Sequence, residues 1–333
     1  MKNFLSVVLP VLLLLASVGC GRKESLTEET SVTPIAEKLA NQTVTQTQNE
    51  TSKAQEKAGT TVVSFRPEVV TGKADAKANT FTGYLPLPKV SFAVTEENGK
   101  NLPKTAINHS FGVAKNGEPH RISVESQAFF DNKGYNAVTY DNQSTDKVLY
   151  LTFDCGYENG LTNKVLDVLQ DKNVKAAFFC TLDHIKAEPE LIARMIKEGH
   201  IVGNHSAKHP NFSKISRAEM AREIETCDNF LREHFGYSAP YFRFPEGAYS
   251  ESALELVQSL GYKSVFWSLA YSDWDTSNQK GKDYAFQTVT ARLHPGAIIL
   301  LHAVSADNAQ ALGDVIDYAR GQGYEFRSLT QLP

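Results

Sequence analysis

From residue 148 the chain alternates between two periods. Short runs of β-branched, aromatic and aliphatic residues fall at 148–153, 175–180, 200–204, 241–245, 264–269, 297–302 and 324–329. Longer stretches with helical spacing lie between them, at 161–172, 189–198, 216–235, 251–261, 282–293 and 306–321. In 216–235, Ser216 and Glu219 have capping-box spacing, and Met220, Ile224, Cys227, Leu231 and Phe235 recur at about one helical turn. Parallel strands need crossover connections, usually helices, so this alternation predicts a parallel sheet with helical crossovers.

Reactive side chains gather at one end of these runs. Asp154, His205 with His209, Arg243, Asp273 and His302 each sit at or just past the C-terminal end of a different strand. That edge is where parallel α/β folds build active sites. An open doubly wound sheet fits the pattern. The spread of reactive positions over nearly every strand favours a closed or nearly closed barrel, in which all strand ends converge on one mouth.

Each residue type points to a chemistry. His205 and His209, four apart, fall on one side of a helical turn and can hold a single divalent metal, leaving positions open for water and substrate. Asp154 is suited to take a proton from the attacking water. Arg243 could pair with that carboxylate and keep it ionised, and Asp273 could orient Arg243. The competing reading of 272–275 is a surface turn in which Trp274 simply packs. His302 closes an apolar run as either a satisfied core residue or a general acid opposite the base. His109, His120, His184, His200, His234 and His294 fall in loops or helix termini outside this constellation, and Cys180 and Cys227 read as core residues.

The rest of the chain bounds where this chemistry takes place. Met1-Lys2-Asn3 precedes an almost wholly apolar stretch, Leu5 to Leu15, well short of the roughly 20 residues of a spanning helix. Residues 1–20 therefore read as a secretory signal. The small residues before Cys20 resemble a bacterial lipoprotein box, with Ser17 where leucine is more usual, so Cys20 is the expected lipid-anchor site. Residues 21–60 are polar and predict a flexible tether, and 61–147 predict an irregular segment packing partly on the main domain, 148–331. A net charge of −4 over 333 residues offers nothing for a nucleic-acid partner. Four cysteines in a chain this long do not make a disulfide framework.

In order, Thr152-Phe153-Asp154-Cys155-Gly156, His205-Ser206-Ala207-Lys208-His209, Arg243-Phe244-Pro245-Glu246-Gly247, Asp273-Trp274 and Ile298-Ile299-Leu300-Leu301-His302 resemble the five motifs of the polysaccharide deacetylases of carbohydrate esterase family 4. The extended stretch from Asp154 to Gly160 is most similar to the delta-lactam-biosynthetic branch, which acts on muramic acid in bacterial peptidoglycan. The resemblance implies a distorted (β/α)7 barrel and metal-dependent amide hydrolysis, with zinc first and manganese or cobalt behind it. It implies that Asp154 is the base, His205 and His209 the metal ligands and His302 the acid. Arg243 and Asp273 would hold the base, Trp274 would pack near His302, and the backbone N–H of Glu246 would serve the oxyanion. The implied partner is the peptidoglycan glycan strand, outside the cell and close to the membrane. Two departures stand out. Cys155 replaces a second aspartate that is usually a metal ligand, and either restores a three-ligand site or faces away. Glu246 replaces an aromatic or basic residue. The alternatives are hydrolysis of another acetylated polysaccharide and a wall-binding lipoprotein with a decayed site.

Overall fold

The structure, a computed structural model, describes residues 69–71, 79–95, 97–110 and 112–333. The signal, Cys20 and the tether lie outside the described residues. Among the described residues no helix is long and apolar enough to cross a membrane.

The central sheet consists of β1 (Ala137–Val138), β2 (Val148–Cys155), β3 (Ala177–Cys180), β4 (Ile201–Asn204), β5 (Tyr241–Phe242), β6 (Lys263–Val265), β7 (Ala297–His302) and β8 (Glu325–Phe326). The hydrogen-bonded order is β7-β2-β3-β4-β5-β6-β1, with β8 on β2, and every pairing is parallel. The helices are α1 (Arg121–Lys133), α2 (Thr162–Asp171), α3 (Leu182–Ala187), α4 (Pro189–Lys197), α5 (Arg217–Phe235), α6 (Glu251–Ser259), α7 (Lys282–Thr290) and α8 (Ala306–Gly321). The sheet curls far enough for the chain beyond β6 to reach β7: Leu269 bridges Ile299, and Leu300 N–H donates to the Leu269 carbonyl at 2.9 Å. The fold is the distorted (β/α)7 barrel.

Strand β2 organises the barrel because it is buried along both faces. Its odd-numbered residues pack outward, Phe153 stacking on Phe178 of β3. Its even-numbered residues carry polar groups inward. Tyr150 donates its hydroxyl to Asp141, Thr152 donates to the Ile299 carbonyl, and Asp154 meets Arg243. One strand thus supplies core on one side and the floor of a site on the other.

Regular elements begin before residue 148. Helix α1 and strand β1 precede it, and β1 adds to the sheet beside β6. Two features hide α1 from a periodicity search. Its cap is His120, whose ring nitrogen accepts from Ile122 N–H, and its buried face includes Ser123 and Gln127. Gln127 is satisfied by Thr139, whose backbone N–H donates to its side-chain oxygen at 2.8 Å. Further upstream, Asn229 of α5 clamps Val90 with two hydrogen bonds of 2.8 Å each. Thr80–Phe81 and Ile107–Asn108 pair antiparallel with Tyr237–Ser238 and Ala248–Tyr249.

Candidate active site

Asp154 and His302 are register partners on adjacent parallel strands, β2 and β7. The sheet therefore fixes their separation before any side chain is considered. Both line an open cleft of about 480 Å³ at the C-terminal mouth, with His205, His209, Glu246, Tyr157 and Trp274.

Arg243 lies beneath Asp154 and is fully buried. Its Nη1 donates to Asp154 Oδ1 at 2.7 Å, and its Nη2 to Thr152 Oγ1 at 2.9 Å and to the Phe266 carbonyl at 3.1 Å. Its Nε donates to the Val265 carbonyl at 2.9 Å. Phe179 packs against the guanidinium face, 4.1 Å from its carbon to the ring centroid. Gly203 makes room for that ring, since a Cβ there would come within 2.6 Å of Phe179. Burial raises the Asp154 carboxyl, but Arg243, His205 and His302 outweigh it and hold it below its ordinary value. Burial also lowers Arg243, against the pull of Asp154. A guanidinium starts so high that it stays charged.

His205 and His209 project from a loop, not from the helical turn their spacing predicts. Ser206 and His209 both take left-handed backbone conformations, at φ 70° and 56°. The loop is pinned by Ser206 N–H to Asn204, by Ala207 and Lys208 N–H to Glu223, and by His209 N–H to Ser206 Oγ. The two rings meet edge to face with centroids 4.8 Å apart. His205 Nδ1 donates to the Arg243 carbonyl at 2.8 Å, which leaves Nε2 bare, 3.6 Å from Asp154 Oδ2. Burial pushes His205 down to about 4, so the imidazole is neutral and its lone pair is available. A bare, oriented nitrogen with its partner nitrogen tied to a carbonyl is how a metal-ligating histidine is held. These two residues fit a divalent metal that keeps open positions. Cys155 does not add a third ligand. It is buried and does not line the cleft, so of its two readings the one that faces away holds.

Asp273 does not touch Arg243, as the sequence reading has it, but grips His302. The backbone N–H of His302 donates to Asp273 Oδ2 and its Nδ1 to Oδ1, each at 2.7 Å, while Asn308 donates a further bond to Oδ2. Besides Asp154, Arg243 is held by Thr152 and two backbone carbonyls rather than by Asp273. Burial lowers His302, but the Asp273 hydrogen bond and charge, with Asp154 beyond, raise it above its usual value. Its Nε2 is left for the cleft.

Glu246 stands on the 3₁₀ turn Pro245–Gly247 with φ 59°. Left-handed backbone at a non-glycine costs about 1–2 kcal/mol and is worth holding only where it aims a group. Its side chain accepts from Asn211 at 2.8 Å, and the residue lines the cleft. Trp274 lines the cleft with His302 and is 60% exposed, and Tyr157, 55% exposed, is a second open aromatic there that motif reading missed.

The family described as Polysaccharide deacetylase matches residues 141–265. A 30.6 kDa protein of Geobacillus stearothermophilus is 47% identical over 242 residues, covering 72% of this chain and 89% of that protein. The peptidoglycan-N-acetylmuramic acid deacetylase PdaA of Bacillus subtilis is 41% identical over 232 residues, covering 69% and 87%. The solved structure of B. subtilis PdaA, a family 4 carbohydrate esterase, superposes with a TM-score of 0.66, covering 69% of this chain and 98% of that one. A family 4 carbohydrate esterase structure from Bacillus anthracis is 37% identical with a TM-score of 0.57. The chain belongs to the polysaccharide deacetylase family, carbohydrate esterase family 4.

Proposed function

We propose that this chain removes acetyl groups from N-acetylated amino sugars of peptidoglycan, muramic acid first among them, by metal-dependent amide hydrolysis that releases acetate. The observation that carries the reading is the opposed setting of two register partners. Arg243 holds Asp154 below its ordinary value and Asp273 holds His302 above its own, across one cleft. Two titratable groups pushed apart in this way divide the acid and base roles between them.

Asp154 takes the proton of the attacking water as its oxygen adds to the acetyl carbon. His302 Nε2–H protonates the amide nitrogen as the C–N bond breaks, which leaves acetate and a free amine on the sugar. The backbone N–H of Glu246 donates to the oxygen that gains charge, a contribution often worth about 3 kcal/mol. His205 and His209 hold the metal, for which we infer zinc on their imidazole donors, with manganese or cobalt as substitutes. When bound, such an ion supplies Lewis-acid polarisation of the carbonyl and acidifies water. Tyr157 and Trp274 offer open aromatic faces against which sugar rings can pack.

Action outside the cell follows from residues 1–20 read as a secretory signal, with Cys20 as lipid anchor and 21–60 as the tether. The peptidoglycan-directed relatives support the same site of action. The test is acetate release from purified peptidoglycan, intact and stripped of stem peptides, by the protein and its Asp154→Asn variant. Release that needs stripped glycan and vanishes in the variant is expected. No release from either glycan with zinc, manganese and cobalt each supplied overturns the assignment.

A further inference from the structure

Cys155, turned away from the cleft, does not face plain apolar core. It is the register partner of Cys180 on β3, and His184 follows in α3. One donor atom from each of the three lies within 4.8 Å of the others, and all three side chains are buried. The sequence places His184 among the histidines of loops and helix termini, and the structure sets it on the six-residue α3.

His184 is the telling member. It is 1% exposed, and neither ring nitrogen has a hydrogen-bond partner. An imidazole always carries at least one N–H and normally one lone pair, and burying both unpaired is costly enough to be rare. The ring is not loosely placed. Thr181 caps α3 by accepting from the His184 backbone N–H at 3.3 Å, and Leu182 N–H donates to the Ser206 carbonyl at 3.1 Å. A disulfide between Cys155 and Cys180 leaves the histidine as orphaned as before. A metal ion takes one donor atom from all three residues at once, and gives one of the two His184 ring nitrogens a partner.

We propose that Cys155, Cys180 and His184 form a second, buried metal site that binds zinc, separate from the His205–His209 site in the cleft. Two sulfurs and an imidazole are the donor set zinc favours over harder ions. Charge balance selects a dication: two thiolates and a neutral imidazole around Zn²⁺ make a neutral group, the only kind a dry interior holds cheaply. On binding, the two thiols release their protons to solvent. With zinc bonds of about 2.0–2.3 Å, tetrahedral donors stand roughly 3.5–3.8 Å apart, a modest contraction of the cluster. Three protein donors leave the fourth position to water.

The site has a route to the cleft. His205 N–H donates to the Cys180 carbonyl and Thr181 N–H to the Cys155 carbonyl, each at 3.1 Å. An ion joining Cys155 to Cys180 therefore ties the end of β2, which carries Asp154, to the end of β3, whose Cys180 carbonyl accepts from the first residue of the histidine loop.

The test uses the full chain with the cleft site removed, His205→Ala/His209→Ala, which leaves the buried cluster untouched. Purified under reducing conditions, it is expected to retain about one zinc per chain by elemental analysis. After exchange into cobalt(II) it is expected to show a thiolate-to-cobalt charge-transfer band in the near ultraviolet. Adding Cys180→Ser, or separately His184→Ala, is expected to abolish zinc retention. A cleft-deleted protein with no zinc above background and no thiolate–cobalt band overturns the proposal. So does recovery of a Cys155–Cys180 disulfide from unreduced protein. If the Cys180 or His184 variant fails to fold, the measurement on the cleft-deleted protein still decides.

Discussion

Replacing Arg243 by methionine removes four hydrogen bonds and the positive charge under Asp154 while keeping much of the side-chain volume. The carboxylate would then be buried with its counter-ion gone. Breaking a buried pair from one side typically costs about 3–5 kcal/mol, since the surviving charge keeps its desolvation penalty and loses its compensation. For a domain of this size each kcal/mol lowers Tm by about 2–4 °C, so the expected fall is roughly 6–20 °C. The pH dependence has a definite sign. Folded Asp154 lies below its ordinary value, so its contribution to stability is present above the unfolded carboxylate pKa, about 3.9, and is lost as pH falls through the folded one. In Arg243→Met the burial that raises Asp154 is no longer outweighed. Both the acid limb of deacetylation and the acid loss of stability move to higher pH.

The second half of the experiment isolates the charge. If the damage comes from an uncompensated carboxylate, adding Asp154→Asn to Arg243→Met recovers stability, although activity is then lost. Thermal unfolding of the two singles and the double gives the coupling directly. An Arg243→Met protein within about 1 kcal/mol of the parent, or a double variant less stable than Arg243→Met alone, refutes the reasoning.

Three further outcomes follow from named contacts. Asp273→Asn removes the charge that raises His302, so the alkaline limb of the kcat profile shifts to lower pH while the acid limb, set by Asp154, stays in place; a pH–rate profile of each variant checks this. Gly203→Ala drives a methyl into Phe179, costs about 1–3 kcal/mol by overpacking and lowers kcat through Arg243, whereas Gly199→Ala, a left-handed turn position outside the site, loses stability without a comparable loss of kcat per folded molecule. Trp274→Ala, at an exposed position, raises KM for glycan several-fold and leaves stability within about 0.5 kcal/mol of the parent, read by substrate titration and calorimetry.

Strands were legible wherever burial on both faces left a continuous apolar run. Val148–Cys155 and Ala297–His302 are the clearest, and the end of each is also a catalytic candidate. Helix α5 was legible because Ser216 and Glu219 form a true capping box. What stayed hidden has physical reasons. Strand β5 has only two paired residues, Tyr241 and Phe242, before the chain turns at Pro245–Gly247, so 241–245 reads as a longer strand than it is. The His205–His209 loop depends on two left-handed residues, which no side-chain period encodes. Asp273 stands next to the exposed Trp274 in sequence, and only the fold reveals that the aspartate is buried against a strand 29 positions later.

The alternation of β2 explains why one residue step separates two chemistries. A strand turns successive side chains to opposite faces, so Asp154 opens on the cleft and Cys155 on the layer beneath. An aspartate at 155 directed to that layer would be a buried carboxylate among sulfur and imidazole, with no arginine such as Arg243 to keep it charged. A cysteine is neutral there as a thiol, and as a thiolate it has a use only if an ion is present. On the proposed roles, the cysteine leaves the cleft with two histidine ligands and its acid–base pair, and it sets a sulfur beside Cys180 and His184. Whether the lost ligand and the gained one are linked is decided by a single comparison: Cys155→Asp should lose the buried zinc, and it restores a third cleft ligand only if β2 ends one residue earlier. Metal content of that variant in the His205→Ala/His209→Ala background reads the buried site alone. No retained zinc is the outcome the alternation requires, and zinc retained there would mean that residue 155 is not the ligand the geometry makes it.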